Sequence, residues 1–228
     1  KEIVDANEKP SIAVRKGKKT SMGMSIQLVQ SGEADAIVSA GNTGALMAMS
    51  KLYLRPIEGI ARPAIVAYFP TVSGESCMLD LGANIECDSK NLVQFAFMGQ
   101  AFAKIVMGIK NPSISLLNIG EEEQKGHDYL RLASQELADP ELGVNYQGFV
   151  EGSSLVDGSI DVVVTDGFSG NIALKAIEGS ARFVTDLLRS AFASSFRSKV
   201  GFLVSKPATE LLRHHLDPNN HNGAVFLG

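Results

Sequence analysis

The stretch Val162-Val-Val-Thr-Asp-Gly-Phe-Ser-Gly-Asn171 decides the fold. Its β-branched run belongs to a short strand, Ile160–Thr165, that passes straight into a Gly/Asn/Asp turn opening a helix over Asn171–Ala193. Three other stretches have the same design: Ala36-Ile-Val-Ser-Ala-Gly-Asn-Thr-Gly44, Met78-Leu-Asp-Leu-Gly-Ala-Asn84 and Leu116-Leu-Asn-Ile-Gly-Glu-Glu-Glu-Gln-Lys-Gly126. Such strands alternating with helical patterns predict an α/β fold with a mostly parallel sheet. In an open parallel sheet the C-terminal strand ends share one edge, and ligands bind in the crevice there. Four turns far apart in sequence are therefore expected to meet at one site. The alternative, that Gly and Asn merely close tight turns, leaves Asp80, Asn84, Glu121–Glu123, Lys125 and Asp166 at that edge without a reason.

Outward from these turns, the patterns predict helices over Ser21–Ser31, from the Gly44 turn to about Leu54, and over Ser89–Val106, His127–Ala138 and Ser205–His215. Strands are expected at Ala34–Ser39, Ala64–Phe69, Cys77–Leu81, Ser113–Ile119 and Val144–Val150, with Pro70–Glu75 as the turn of a strand pair. No internal repeat or low-complexity linker interrupts the pattern. A single α/β catalytic domain over 1–228 is expected, with a helical hairpin at 171–216. The sequence begins at Lys1 without Met and stops after the strand-like run Ala224–Leu227, so it reads as a fragment or a partly ordered chain.

Composition narrows the function. With 228 residues, 45% hydrophobic and 20% charged, the chain is an ordinary globular sequence rather than a disordered one. A net charge of −4 argues against a duplex nucleic-acid binder. Two cysteines, Cys77 and Cys87, make no disulfide framework and read as reduced cytosolic thiols. No Cys-x-x-Cys or His-x-x-x-His pair suggests a metal, no 18-residue apolar run suggests a membrane span, and no signal peptide is visible.

The turns suit an anion. In Ser39-Ala-Gly-Asn-Thr-Gly44, Gly41 and Gly44 allow close backbone approach, the helix start adds its dipole, and Asn42 and Thr43 add donors. Phosphate is the natural ligand, and neither a P-loop nor a Gly-x-Gly-x-x-Gly pattern calls for a nucleotide. Asp166-Gly-Phe-Ser-Gly-Asn171 repeats the design at a second helix start. In the loop Gly120–Gly126, Lys125 is expected to meet the phosphate, with one of the three glutamates Glu121–Glu123 holding it in place. Lys125, Asn171 and Asp166 are the expected catalytic residues. Asp80, Asn84, Glu122, His127 and Ser169 are expected to contact substrate, His127 as a possible acid or base. Ser169 and Ser39 lack a nucleophile elbow, so the substrate must bring its own nucleophile, and inorganic phosphate is one.

The C-terminal third differs in character. Between Arg182 and Arg213 the net charge is +4. There Val200, Phe202, Leu203 and Val204 are bracketed by Arg197, Lys199 and Lys206, an apolar tip with a basic collar. That combination suits an anionic membrane surface or an acidic partner. A hairpin packed on its own domain or on a second copy is the other reading.

Four motifs in order carry a resemblance: Ser39-Ala-Gly-Asn-Thr-Gly-Ala45, Asp80-Leu-Gly-Ala-Asn84, Leu117-Asn-Ile-Gly-Glu-Glu-Glu-Gln-Lys-Gly126 and Asp166-Gly-Phe-Ser-Gly-Asn171. With Arg62-Pro-Ala64 and Asn222-Gly223, they make the chain resemble the bacterial phosphate acyltransferases of phospholipid synthesis over essentially its whole length. The resemblance implies a Rossmann-like three-layer α/β/α fold, related to phosphotransacetylases and to the isocitrate/isopropylmalate dehydrogenases. It implies conversion of acyl-carrier-protein thioester and inorganic phosphate to acyl phosphate and free carrier protein, without a cofactor. It also implies a cytoplasmic homodimer, peripheral on the bacterial membrane, feeding a membrane glycerol-3-phosphate acyltransferase. The family's N-terminal strand, its Asp-Ala-Met-Gly-Gly-Asp turn and its C-terminal end lie outside this sequence, and part of the phosphate site with them. Phosphate is expected among the Ser39–Gly44 turn, Lys125 and Asn171, attacking the thioester carbonyl directly. A coenzyme A-dependent phosphotransacetylase and a metal-dependent dehydrogenase with Asp80 and Asp166 on Mg²⁺ are the competing readings.

Overall fold

Strands β1 (Ala64–Thr71), β2 (Gly74–Leu79), β3 (Ile114–Asn118), β4 (Tyr146–Glu151), β5 (Val162–Val164) and β6 (Val225–Leu227) form one sheet in the order β4-β3-β5-β2-β1-β6. This is the architecture of a computed structural model that describes residues 2–216 and 224–228, the side chains of 213–216 excepted. Asn222-Gly223 and the Arg213 side chain, both invoked from sequence, lie outside the described residues. Strands β2, β5, β3 and β4 run parallel, with Leu79 opposite Val164 and Asn118 opposite Glu151. Strand β1 is antiparallel to both β2 and β6. The mostly parallel α/β sheet read from the sequence is therefore present, with an antiparallel edge.

The chain divides into two compact units, residues 1–63 with 228, and 64–227. In the larger unit, side-chain alternation sends Met78 and Val163 to one face of the sheet and Leu79 and Val162 to the other. Helix α4 (Ser89–Ile105) lies on the Leu79 and Val162 face so closely that a Cβ on Gly99 would come 2.5 Å from Val162 Cγ1. Its start is fixed by a capping box between Asp88 and Asn91. Helix α5 (Asp128–Leu137) also packs on α4. On the opposite face, Ala173, Leu174 and Ile177 of α6 (Gly167–Ala193) cover Phe69, Met78 and Val163. The result is three layers around buried aliphatic side chains, each stabilising by about 1.5–3 kcal/mol.

The smaller unit is helical: α1 (Pro10–Lys16), α2 (Ser21–Gln30) and α3 (Thr43–Tyr53) close on Ala13, Met22, Ile26, Ala45 and Met49. Helix α1, opened by Pro10 at its first turn, has no counterpart in the sequence reading. The expected strand at Ala34–Ser39 is not a strand. Those residues make no ladder among the described residues, and Val38 is fully exposed while Ile37 packs on the helical core. An alternating pattern yields a strand only where a neighbour supplies the ladder bonds.

Beyond its first turns α6 leaves the sheet. Only Gly167 and Gly170 of its 27 residues are buried. The Phe196–Lys206 link read as a tip is itself helical, α7 (Phe196–Val204), followed by α8 (Lys206–Leu216). Both return against α6, with the Phe192 and Phe202 rings 5.2 Å apart. No helix among the described residues is long and apolar enough to cross a membrane.

Candidate active site

The C-terminal ends of four parallel strands place Leu79, Asn118, Glu151 and Val164 at one edge, and the polar turns follow from there. After β2, the fully buried Asp80 carboxylate organises its turn. Its Oδ1 accepts from the N–H groups of Ile65 (2.9 Å), Ala83 (3.0 Å) and Gly82 (3.3 Å). Its Oδ2 accepts from the Asn84 N–H (2.7 Å) and Asn84 Nδ2 (2.9 Å). A buried charge is tolerable when donors surround it in this way. Asp80, expected to touch substrate, is thus occupied in holding the turn, and Asn84 shares that task.

After β5, Asp166 caps α6. Its Oδ1 accepts from the Ser169 N–H at 2.8 Å, and its Oδ2 from Ser169 Oγ at 3.0 Å. Helix α6 begins at Gly167, four residues earlier than read from the sequence, because this cap precedes the glycines. The glycines let the two turns interlock. A Cβ on Gly167 would come 2.6 Å from the Asn84 carbonyl oxygen, and one on Gly170 would run into that of Asp80. The Gly167 N–H donates to Asn84 O at 2.7 Å. Asn171 lies over the same turn, where a Cβ on Gly82 would come 2.9 Å from its Nδ2. Asp80, Asn84, Asp166, Ser169 and Asn171 therefore form one cluster.

The loop after β3 carries the cation. Lys125 Nζ stands 2.8 Å from Glu122 Oε2, so of the three loop glutamates it is Glu122 that holds the cation, and both side chains are about half exposed. The hydrogen bond to Glu122 holds the ammonium above its ordinary pKa, with Glu151 adding to the effect. The same bond holds the Glu122 carboxyl below the usual range. Gly120 leaves room for this pair beneath it. The loop is tied back by Asn118 Nδ2, which donates to the Lys125 carbonyl at 3.1 Å.

His127 is exposed at the start of α5 and makes no capping bond. Its ring stacks on Tyr129, with centroids 5.5 Å apart. The Tyr129 hydroxyl donates to Asp166 Oδ2 at 3.2 Å, joining this helix start to the Asp166 cluster. Burial, then the Asp166 charge, pushes the Tyr129 phenol up to about 12. Tyr129 and Glu151 escaped the sequence reading. Tyr129 reaches across 37 residues and leaves no local mark. Glu151-Gly152 ends a strand as the four chosen turns do, and the same rule would have found it.

In the smaller unit, Gly41, Asn42, Thr43 and Gly44 line an open cavity of about 470 Å³ with Val4, Ala6 and Ala40. Asn42 caps α3, accepting from the Ala45 N–H at 2.9 Å, and its Nδ2 points to the carbonyls of Glu8, Ala6 and Asp5. Its side chain therefore serves the loop rather than a ligand in the cavity. Ser39 Oγ accepts from the Gly41 N–H at 3.1 Å. The remaining expected residues, Arg197, Lys199, Val200, Phe202, Leu203 and Val204, all lie on α7, and Lys206 opens α8. Among the described residues no three His, Cys, Asp or Glu side chains come together as a metal site would need.

A family model described as "Fatty acid synthesis protein" matches residues 1–228. The chain belongs to this family. Curated relatives named "Phosphate acyltransferase" from Erythrobacter litoralis and Rhodospirillum centenum are 63% and 52% identical over all of the chain. The chain spans 64% of the length of each. Among solved structures, a phosphotransacetylase from Streptococcus pyogenes superposes with a TM-score of 0.60 at 22% identity, covering 79% of this chain and 65% of that one. The EutD phosphotransacetylase from Staphylococcus aureus gives 0.55 at 19%, covering 74% and 61%. These likenesses establish the fold, and the Rossmann-like α/β/α expectation agrees with it.

Proposed function

We propose that the full-length protein is a phosphate acyltransferase that moves an acyl group from the thioester of acyl carrier protein to inorganic phosphate. The observation that carries this reading is the 63% identity to a curated phosphate acyltransferase across the whole chain. In the proposed reaction a phosphate oxygen attacks the thioester carbonyl, the carbon–sulfur bond breaks, and acyl phosphate leaves with the free thiol carrier. A thiol has an ordinary pKa near ~8.5, so its thiolate departs without a strong acid. The protein's tasks are then to orient the reactants and stabilise the developing oxyanion. Within the smaller unit the N–H groups of Thr43 and Gly44 suit an anion, and within the larger unit the Lys125 ammonium suits the developing charge. Asn171 adds an amide donor. Asp166, held by Ser169 and Tyr129, positions the start of α6.

Around this chemistry we place α7 on the anionic face of a bacterial membrane. Its Leu203 and Val204 are 69% and 80% exposed beside Arg197 and Lys199, which supports such a contact. The resemblance adds a cytoplasmic, membrane-peripheral homodimer and hand-over of acyl phosphate to a membrane glycerol-3-phosphate acyltransferase.

The test is product analysis with the full-length protein. Acyl carrier protein thioester or acyl coenzyme A is incubated with phosphate, and acyl phosphate is trapped as the hydroxamate. Preference for the carrier thioester is expected. Preference for coenzyme A assigns a phosphotransacetylase instead, and no hydroxamate from either removes acyl transfer to phosphate.

A further inference from the structure

The smaller unit carries a second basic feature, unlike the one on α7. Arg15-Lys16-Gly17-Lys18-Lys19 places four cations in five residues at the end of α1. The backbone beneath them is fixed. Gly17 is buried so tightly that an added Cβ would run into the Tyr53 hydroxyl and come 3.2 Å from Met49 Sδ. The fully buried Thr20 donates from Oγ1 to the Gly17 carbonyl at 2.8 Å and accepts from the Gly23 N–H at 3.1 Å. Ser21 N–H donates to the Glu2 carbonyl at 2.9 Å. The four cationic side chains are exposed, and only Lys16 has an ion-pair partner among the described residues, Glu8 at 2.6 Å. Arg15, Lys18 and Lys19 thus project from a rigid turn with their charge unspent.

We propose that this turn is the docking surface for an acidic protein face, which in the reading above, on which the proposal rests, is that of the acyl carrier. The chain as a whole carries −4, so an acidic partner is repelled by most of its surface and drawn to a concentrated positive site. The turn contains no exposed apolar side chain to enter a bilayer, whereas α7 presents Val200, Leu203 and Val204. The one apolar neighbour on the same helix face is Ile12, 43% exposed and three residues before Arg15. An exposed apolar side chain beside a charged turn suits a protein contact. A rigid backbone also keeps the ordering cost of association low.

The test measures binding of labelled acyl carrier protein to the full-length enzyme by fluorescence anisotropy at low and high salt. K18E/K19E is expected to weaken binding about tenfold or more at low salt and to flatten its salt dependence. K18R/K19R is expected to bind as wild type, and K18Q/K19Q replaces the reversal if the latter fails to fold. Wild-type affinity in the folded charge-altered variant overturns the proposal. Unchanged carrier binding with lost sedimentation on phosphatidylglycerol vesicles also overturns it and gives the turn to lipid. An enzyme that makes acyl phosphate from the carrier while K18E/K19E binds it normally refutes the docking surface alone. An enzyme that neither binds nor consumes the carrier refutes both the docking and the proposed function.

Discussion

The cluster at the start of α6 and the outer part of the same helix differ in how their polar and apolar groups are spent. At the start, Asp80 receives five hydrogen bonds and Asp166 three, from partners that are all within the fold. Farther out, Phe183 and Leu187 on α6 and Leu211 on α8 are each more than half exposed. One helix thus begins in a finished site and ends in an unfinished surface. Internally satisfied polar groups define a geometry, and exposed apolar ones call for a partner.

The sharpest way to break the first half of that contrast is Asp80→Ala. It leaves the N–H groups of Ile65, Gly82, Ala83 and Asn84 without their acceptor, at a cost on the order of 3–5 kcal/mol. Urea unfolding of the full-length protein measures it, and a change below ~1 kcal/mol would remove Asp80 from its organising role. Lys125→Ala separates chemistry from folding in the same region. Its ion pair with Glu122 is exposed and contributes little stability. Turnover is expected to fall by about 10²–10³ with an unchanged melting temperature. Undiminished turnover would take Lys125 out of the mechanism.

Val200→Glu with Leu203→Glu addresses the second half. Both residues are exposed on α7, so the melting temperature is expected to stay within a few degrees of wild type, while co-sedimentation with anionic liposomes is lost. Liposome binding that survives the pair of substitutions would leave the apolar face of α7 to another partner.

The same contrast explains what could be read in advance. Strand ends followed by Gly, Asn and Asp are local patterns, and the parallel strands, the Asp166 turn and a pairing of Lys125 with one loop glutamate were legible from them. Roles set by long-range bonds were not. Nothing local reveals that Asn42 would spend its amide on the carbonyls of Asp5, Ala6 and Glu8, or that Asp80 would be closed off by Ile65. Ala34–Ser39 misled for the opposite reason: its local pattern suits a strand, but a strand is a property of two chain segments. The segment 196–204 read as a tip because its apolar residues Val200, Phe202, Leu203 and Val204 are bracketed by Arg197, Lys199 and Lys206. It is helical, capped by Ser195 accepting from the Ser198 N–H at 3.0 Å.

Tyr129 gives the smallest expected effect, and it tests how far the finished region extends. Its hydroxyl is the bond that ties the start of α5 to Asp166. Tyr129→Phe is expected to cost about 1 kcal/mol near neutral pH. The pH dependence carries the sign. The phenol titrates near 10 ordinarily and is pushed up to about 12 in the fold, first by burial and then by the Asp166 charge. A group raised on folding stabilises fully below its unfolded value, so the contribution is intact below about pH 10 and disappears as pH rises through about 12. Tyr146, half-buried and also pushed up to about 12, loses stability over the same window. Tyr129→Phe should therefore reduce the alkaline loss without abolishing it, measured as urea midpoints against pH. An alkaline slope identical to wild type would mean that Tyr129 ionises as freely in the fold as in the unfolded chain, and the finished region would then stop at α6.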